Sequence, residues 1–284
     1  MKPKTLTLTL LALAFCATLG FAQTWNLQTI DNSGDAGKNS SICYDANGYP
    51  HIAYVTQRTK VMYTHWTGKG WYTEQVDDDT SMCWGQEDTL SVSIAISPNT
   101  GVIFVFYTDI TDANNAFHWD DYSSIKYKYK TGSVWSTKNN IKAYEYSGYY
   151  PLAYFLSPKS AFIDANDYIY LTYYNKKDGD LFIWKKLTGQ IPDTSTTLID
   201  GSGDVGKYHS MSVESDGNIH VSYYDFTGQD LKYAFWDGIV WSSQIVDQTG
   251  AVGKWNSITV DALHKAHISY YDETNGNLKY AKMQ

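Results

Sequence analysis

The chain has 284 residues with 22 basic and 30 acidic side chains, a net charge of −8, and is 43% hydrophobic and 16% aromatic. The acid excess, with no basic stripe, excludes a polyanion partner such as nucleic acid, whose phosphates require clustered cations. Three cysteines exclude a disulfide scaffold, and a chain of this length buries roughly three quarters of its unfolded surface without needing staples.

In chain order, the first element is a leader. Lys2 and Lys4 precede an apolar run from Leu6 to Leu19, and Gly20-Phe21-Ala22 puts small residues where a signal peptidase cuts. Residues 1–22 therefore read as a secretory signal. Phe15 before Cys16 is not the small residue a lipoprotein signal requires. A single domain over 23–284 is expected outside the cytoplasm, in the periplasm or the extracellular space. Loss of Lys2 and Lys4 takes the charge from −8 to −10. No other apolar run reaches the roughly 20 residues of a spanning helix, so no transmembrane segment is expected. Cys43 and Cys83 remain, and their spacing leaves pairing open.

A repeat then fills the chain. His220-Val-Ser-Tyr-Tyr-Asp225 and His267-Ile-Ser-Tyr-Tyr-Asp272 are two copies of one phrase, and the equivalent positions are His51, Phe104, Tyr170, His220 and His267, spaced 53, 66, 50 and 47. Each copy consists of short β-branched and aromatic runs bounded by Gly, Asn, Asp or Pro, which reads as four strands with tight turns and no helix. Four antiparallel strands per repeat of about 50 residues are the signature of a propeller blade. The chain is therefore expected to be all-β, a five-bladed β-propeller. Trp25–Asp31 matches Trp241–Asp247, the fourth strand of blade 4, and the chain ends after a third strand. The N-terminal segment is thus expected to close the last blade as its fourth strand, hiding two sheet edges.

The His column accepts Phe104 and Tyr170 in other blades, so it is read as structural. The tyrosine pairs Tyr173-Tyr174, Tyr223-Tyr224 and Tyr270-Tyr271 are read as filling between sheets. A second recurrent element, Gly34-Asp-Ala-Gly-Lys38, Gly203-Asp-Val-Gly-Lys207 and Gly250-Ala-Val-Gly-Lys254, precedes each inner strand. Lys38, Lys207 with Tyr208, and Lys254 with Trp255 are candidates for a repeated ligand platform of cation, ring and backbone amide, set against a plain corner turn.

Blades 2 and 3 carry the extra length, read as loops at Asp77–Asp88, Asp109–Tyr122 and Tyr144–Lys159. Long loops on a rigid scaffold are where binding usually sits. Their rings, Trp84, Trp119, Tyr144, Tyr146, Tyr149 and Tyr150, with His118, are candidate ligand-binding residues for a glycan. Asp120, Asp121, Glu87 and Glu145 are candidate carboxylates for glycoside hydrolysis, which needs two acids roughly 5 to 10 Å apart. No cofactor is expected. Asp31 with Asp35 and Asp200 with Asp204 suggest calcium, but Ala251 breaks that pattern and an oxygen cage needs six to eight ligands.

The phrases Gly-Asp-Val-Gly-Lys-Tyr, His-Val-Ser-Tyr-Tyr-Asp and Asp-Leu-Lys-Tyr-Ala resemble the repeats of secreted bacterial propeller proteins of the sialidase-like superfamily, best in blades 4 and 5. The resemblance implies a propeller and an extracytoplasmic life. Ser215-Asp-Gly-Asn-Ile-His does not match the sialidase Asp-box, and no arginine triad stands out, which argues against sialidase activity. The architecture also resembles five-bladed tachylectin-type lectins. The expected function is a secreted carbohydrate-binding protein acting through the loop-rich face of blades 2 and 3, with a glycan or cell-surface ligand as partner. A glycoside hydrolase or lyase on the same face, and a protein adhesion module, are the alternatives.

Overall fold

The computed structural model describes residues 26–56, 60–78, 91–112, 120–147, 156–191 and 195–284. Residues 31–284 form one compact unit, and residues 26–30 carry no regular secondary structure.

Among the described residues there is no α-helix, only a 3-10 turn at Thr188–Gln190, and twenty strands form five antiparallel sheets. The first holds β1 (Ala36–Tyr44), β2 (Pro50–Thr56), β3 (Lys60–Trp66) and β4 (Trp71–Asp77). In the second, β5 (Val92–Ile96), β6 (Ile103–Asp112) and β7 (Asp120–Thr131) are followed by β8 (Val134–Trp135) and β9 (Asn139–Ser147), which share the outer edge of β7. The third holds β10 (Leu156–Ile163), β11 (Tyr168–Asn175), β12 (Asp180–Leu187) and β13 (Thr197–Asp200), and the fourth β14 (Val205–Val213), β15 (Ile219–Asp225), β16 (Asp230–Trp236) and β17 (Trp241–Asp247). The fifth holds β18 (Val252–Val260), β19 (Ala266–Asp272) and β20 (Asn277–Lys282).

Local chemistry sets the turns. Asp45 accepts the N–H groups of Asn47 at 2.9 Å and Tyr49 at 2.8 Å, and Asp164 does the same for Asn166 and Tyr168. Such an Asx turn reverses the chain between first and second strands.

Consecutive sheets pack face to face. Tyr63 and Tyr107 lie between the first two, Phe106 and Trp184 between the second and third, Leu181 and Val221 between the third and fourth, and Leu231 and Ile268 between the fourth and fifth. Their first strands converge. Ser41, Ser93 and Ser210 accept N–H groups from Ile94, Ala161 and Ile258 of the following blade at 3.3, 2.9 and 3.3 Å. The C-terminal halves of β1, β5, β10 and β14 line one cavity of about 600 Å³. First strands radiating from a common channel are the arrangement of propeller blades. Their starts, and the ends of second strands, accordingly share one rim.

A latch crosses three of the blade boundaries. The hydroxyls of Tyr107, Tyr223 and Tyr270 donate to Asp77, Asp200 and Asp247, each ending the fourth strand of the blade before, at 2.7, 2.6 and 2.8 Å. Lys232 and Lys279 add their ammonium groups to Asp200 and Asp247. The histidine column is structural as read. Nδ1 of His51 and His220 lies 2.6 and 2.7 Å from the hydroxyls of Tyr63 and Tyr233, while Nε2 of His220 lies 2.7 Å from Glu214. A neutral ring donating through Nε2 and accepting at Nδ1 satisfies both contacts. Burial and the neighbouring His65 lower the pKa of His51, which favours that neutral form.

Two expectations change. The segment Trp25–Asp31 is not seen as a fourth strand: Trp25 lies outside the described residues, residues 26–31 carry no strand, and the last sheet has three strands. The blade 2 insertions read as loops are in part strands, because β6 runs on to Asp112 and pairs with β7 as far as Asp121, while β9 lies against β7. Asp109–Asp112 pair with Asp121–Ser124, and Asp120–Ser124 with Ala143–Ser147, so polar composition there does not preclude a ladder.

Candidate ligand-binding platform

The recurrent Gly-x-x-Gly-Lys element builds the same backbone device three times. Lys207 pairs with Tyr224, Lys254 with Tyr271 and Lys38 with Val55, and the register then slips before Ser210, Ser257 and Ser41. The slip is a β-bulge, a feature that re-aims side chains. After each lysine comes a left-handed residue: Asn39 at φ 48°, Tyr208 at φ 53° and Trp255 at φ 48°. Asparagine tolerates that region, whereas an aromatic there costs about 1 to 2 kcal/mol.

Buried side chains hold the two aromatics in place. His209 has Nδ1 2.9 Å from the carbonyl of Gly206 and Nε2 3.1 Å from that of Thr172 on the preceding blade. Asn256 donates to the carbonyl of Gly253 at 2.9 Å and accepts the hydroxyl of Ser222 at 2.6 Å. The preceding glycines are required at these places, since a Cβ on Gly206 would lie 2.7 Å from the Cβ of Leu181, and one on Gly253 2.7 Å from the Cα of Leu231.

The rings so presented form a continuous cluster. Tyr208 lies 5.1 Å from Trp255 and 6.1 Å from Tyr224, Trp255 lies 5.5 Å from Tyr271, and Tyr224 lies 6.4 Å from Phe226. Trp255 is 63% exposed. Two ammonium groups sit among them. Lys207 lies 3.8 Å above the ring of Phe226, 5.4 Å from that of Tyr174, and 2.8 Å from Asp204. Lys254 lies 5.5 Å from the ring of Tyr224 and 2.6 Å from Glu273, whose hydrogen bond raises the pKa of the lysine. The arrangement offers flat apolar faces, one ammonium and one carboxylate per junction between blades.

Of the candidates read from the sequence, Lys207, Tyr208, Lys254 and Trp255 are thus brought together, and Lys38 occupies the same backbone position in blade 1. Trp84, His118, Trp119, Tyr149, Tyr150 and Glu87 lie outside the described residues. Asp120 and Asp121 fall on β7 and Tyr144, Glu145 and Tyr146 on β9, where register sets Asp121 opposite Tyr146 and Tyr122 opposite Glu145. Sequence reasoning missed Tyr224, Tyr271, Phe226 and Glu273. In Tyr223-Tyr224 and Tyr270-Tyr271 the first tyrosine is the buried latch and the second lines the platform, a split that strict alternation along the strand would have revealed.

Among the described residues no group of three or more His, Cys, Asp or Glu is placed to hold a metal ion. Asp200 is engaged by Tyr223, Lys232 and Ser202, and Asp204 by Tyr174 and Lys207. Burial pushes the Cys43 thiol up to about 12, and Cys83 lies outside the described residues. Among the described residues no helix is long and apolar enough to cross a membrane.

Trp255→Gly is expected to leave folding stability unchanged or raise it by about 1 kcal/mol, because relief of the left-handed strain offsets the lost ring contacts. Chemical denaturation checks this, and a loss above that size would make Trp255 a packing residue.

No family model matches the chain, and no curated protein matches it in sequence. Solved structures do resemble it. AofleA from Arthrobotrys oligospora aligns over 88% of this chain and 71% of its own, with 11% identity and a TM-score of 0.52. A protein of unknown function from Dyadobacter fermentans aligns over 88% and 79%, with 11% identity and a TM-score of 0.51. The SapL1 lectin in complex with alpha methyl fucoside aligns over 88% and 83%, at 14% identity and a TM-score of 0.48. At such identities the likeness concerns the fold, an all-β, propeller-like array of antiparallel sheets.

Proposed function

We propose that the protein is a secreted carbohydrate-binding protein that holds a glycan on the rim where first strands begin. The observation that carries this reading is the exposed indole of Trp255, held in a strained backbone state by buried Asn256 and flanked by Tyr208, Lys254 and Glu273. Strain that the surroundings over-determine clusters at ligand sites, and a flat ring beside hydrogen-bonding groups suits the two faces of a sugar. β6 ends and β7 and β10 begin at the same rim. A second reading, a glycoside hydrolase with Asp120, Asp121 or Glu145 as its acids, rests on these residues lying on the neighbouring strands β7 and β9.

The same reading takes the five blades as a closed ring. Gly37 keeps φ +93° with nothing within 4 Å of its Cβ position, while Leu278 is 82% exposed, although the equivalents Leu181 and Leu231 are fully buried. Ser257 is exposed in the place where Ser41, Ser93 and Ser210 accept an N–H. Asp31 receives the hydroxyl of Tyr54 at 2.7 Å, as the residues ending fourth strands do elsewhere. Blade 5 thus carries one half of a junction and blade 1 the other.

A printed glycan array separates the functional readings. The wild type is expected to bind neutral glycans, and Trp255→Gly to lose that binding by at least tenfold. Binding unaffected by Trp255→Gly contradicts the platform, and turnover of a glycan that disappears in Asp120→Asn or Asp121→Asn establishes the hydrolase instead.

A further inference from the structure

The two complete platform junctions share a backbone, and two of the side chains at which they differ decide whether the junction is filled. The backbone N–H of Phe226 donates to the carbonyl of Asp204 at 2.8 Å, and that of Glu273 to the carbonyl of Ala251 at 2.9 Å, so the pairs Asp204/Phe226 and Ala251/Glu273 are equivalent. Between blades 3 and 4 the groups satisfy one another. The Phe226 ring caps the Lys207 ammonium at 3.8 Å, a cation–π contact. Asp204 accepts from both Lys207 at 2.8 Å and the Tyr174 hydroxyl at 2.6 Å. This junction already contains the ring and the carboxylate that an incoming ligand would have to match.

Between blades 4 and 5 neither internal partner is present. Ala251 offers Tyr224 no carboxylate, and Glu273 replaces the capping ring. The Glu273 carboxylate keeps 46% of its side-chain surface open while bonded to Lys254 at 2.6 Å. Beside it stands the exposed Trp255.

Resting on the glycan reading above, we infer that the junction of blades 4 and 5 is the open monosaccharide subsite, selective for a neutral vicinal diol, and that Phe226 keeps the junction of blades 3 and 4 filled. An ammonium adjoining a carboxylate reads a hydroxyl in both senses, since the sugar oxygen accepts from Lys254 and its proton goes to Glu273. Two neighbouring hydroxyls occupy the pair without leaving a buried charge uncompensated. An acidic sugar would set its own carboxylate against Glu273, so the site discriminates by repulsion. Trp255 supplies the apolar floor, and its fixed backbone lowers the ordering cost of binding.

The test uses an equimolar mixture of the methyl pyranosides of glucose, galactose, mannose and fucose with the full-length protein. Saturation-transfer NMR finds which of them binds, and calorimetric titration of that glycoside counts sites. One site per chain is expected in the wild type. Glu273→Phe should weaken binding at least tenfold, and Phe226→Glu should raise the count to two, with Phe226→Ala as the milder variant if the charge impairs folding. Binding that survives Glu273→Phe, or a count that stays at one in both Phe226 variants, overturns the inference and leaves the glycan reading standing. Absence of transfer from all four glycosides in the wild type overturns both.

Discussion

Lys232→Met is expected to destabilise the protein by about 3 kcal/mol, because it strands a carboxylate built for a cation. Asp200 and Lys232 are 7% and 6% exposed and bonded at 2.5 Å. Tyr223 and Ser202 also donate to Asp200. Burial opposes ionisation of Asp200, yet the bonds from Lys232, Ser202 and Tyr223 outweigh it and hold the carboxyl below its ordinary range. Blade 1 has Met62 at the register position of Lys232 and Lys279, so a thioether fits the backbone there. The added change Asp200→Asn should recover much of the loss. A shift below about 1 kcal/mol for Lys232→Met, measured by urea unfolding, would remove the latch from the account. The same carboxylates set the response to acid. At Asp247 burial is likewise outweighed, by Lys279, Thr249 and Tyr270, and the pKa falls from 3.8 to about 2. A depressed folded value stabilises above the unfolded pKa and is lost as pH falls through the folded one. Thermal unfolding is therefore expected to be flat above about pH 5 and to fall steeply from about pH 4 toward 2.

Leu278→Ala is expected to cost about 2 to 5 kcal/mol, the range for truncating a buried leucine. The expectation follows from closure of the ring on blade 1, where Gly37 would receive Leu278 as Gly206 and Gly253 receive Leu181 and Leu231. Leu231→Ala provides the buried reference within the same protein. If Leu278 faces solvent in the working molecule, its truncation changes stability by no more than about 0.5 kcal/mol.

Much of this was legible in the sequence because the repeat is written in side chains. The phrase beginning at His220 and His267 fixes strand, turn and register, and the histidines do tie strands together. The latch also leaves a trace: Asp31 to Tyr54, Asp200 to Tyr223 and Asp247 to Tyr270 are each 23 residues apart. That interval spans two blades, so alternation within one strand does not expose it. The bulge was hidden for another reason. Tyr208 and Trp255 look like ordinary strand residues, and only Asn39 at the same position hints at a left-handed backbone. The long hairpin of blade 2 reads as loop because Asp109–Asp112 and Asp120–Ser124 are polar and lack regular alternation. Identical loop phrases also concealed that Phe226 and Glu273 make two junctions chemically unlike.

The claim that most depends on this geometry is that sugar meets the protein at Trp255. Indole N–H resonances of 15N-tryptophan-labelled protein, titrated with a neutral glycan that the array shows to bind, locate the contact directly. The Trp255 resonance is expected to move and saturate with the binding curve, while buried Trp184 stays fixed. A Trp255 resonance unmoved at saturation would contradict the account.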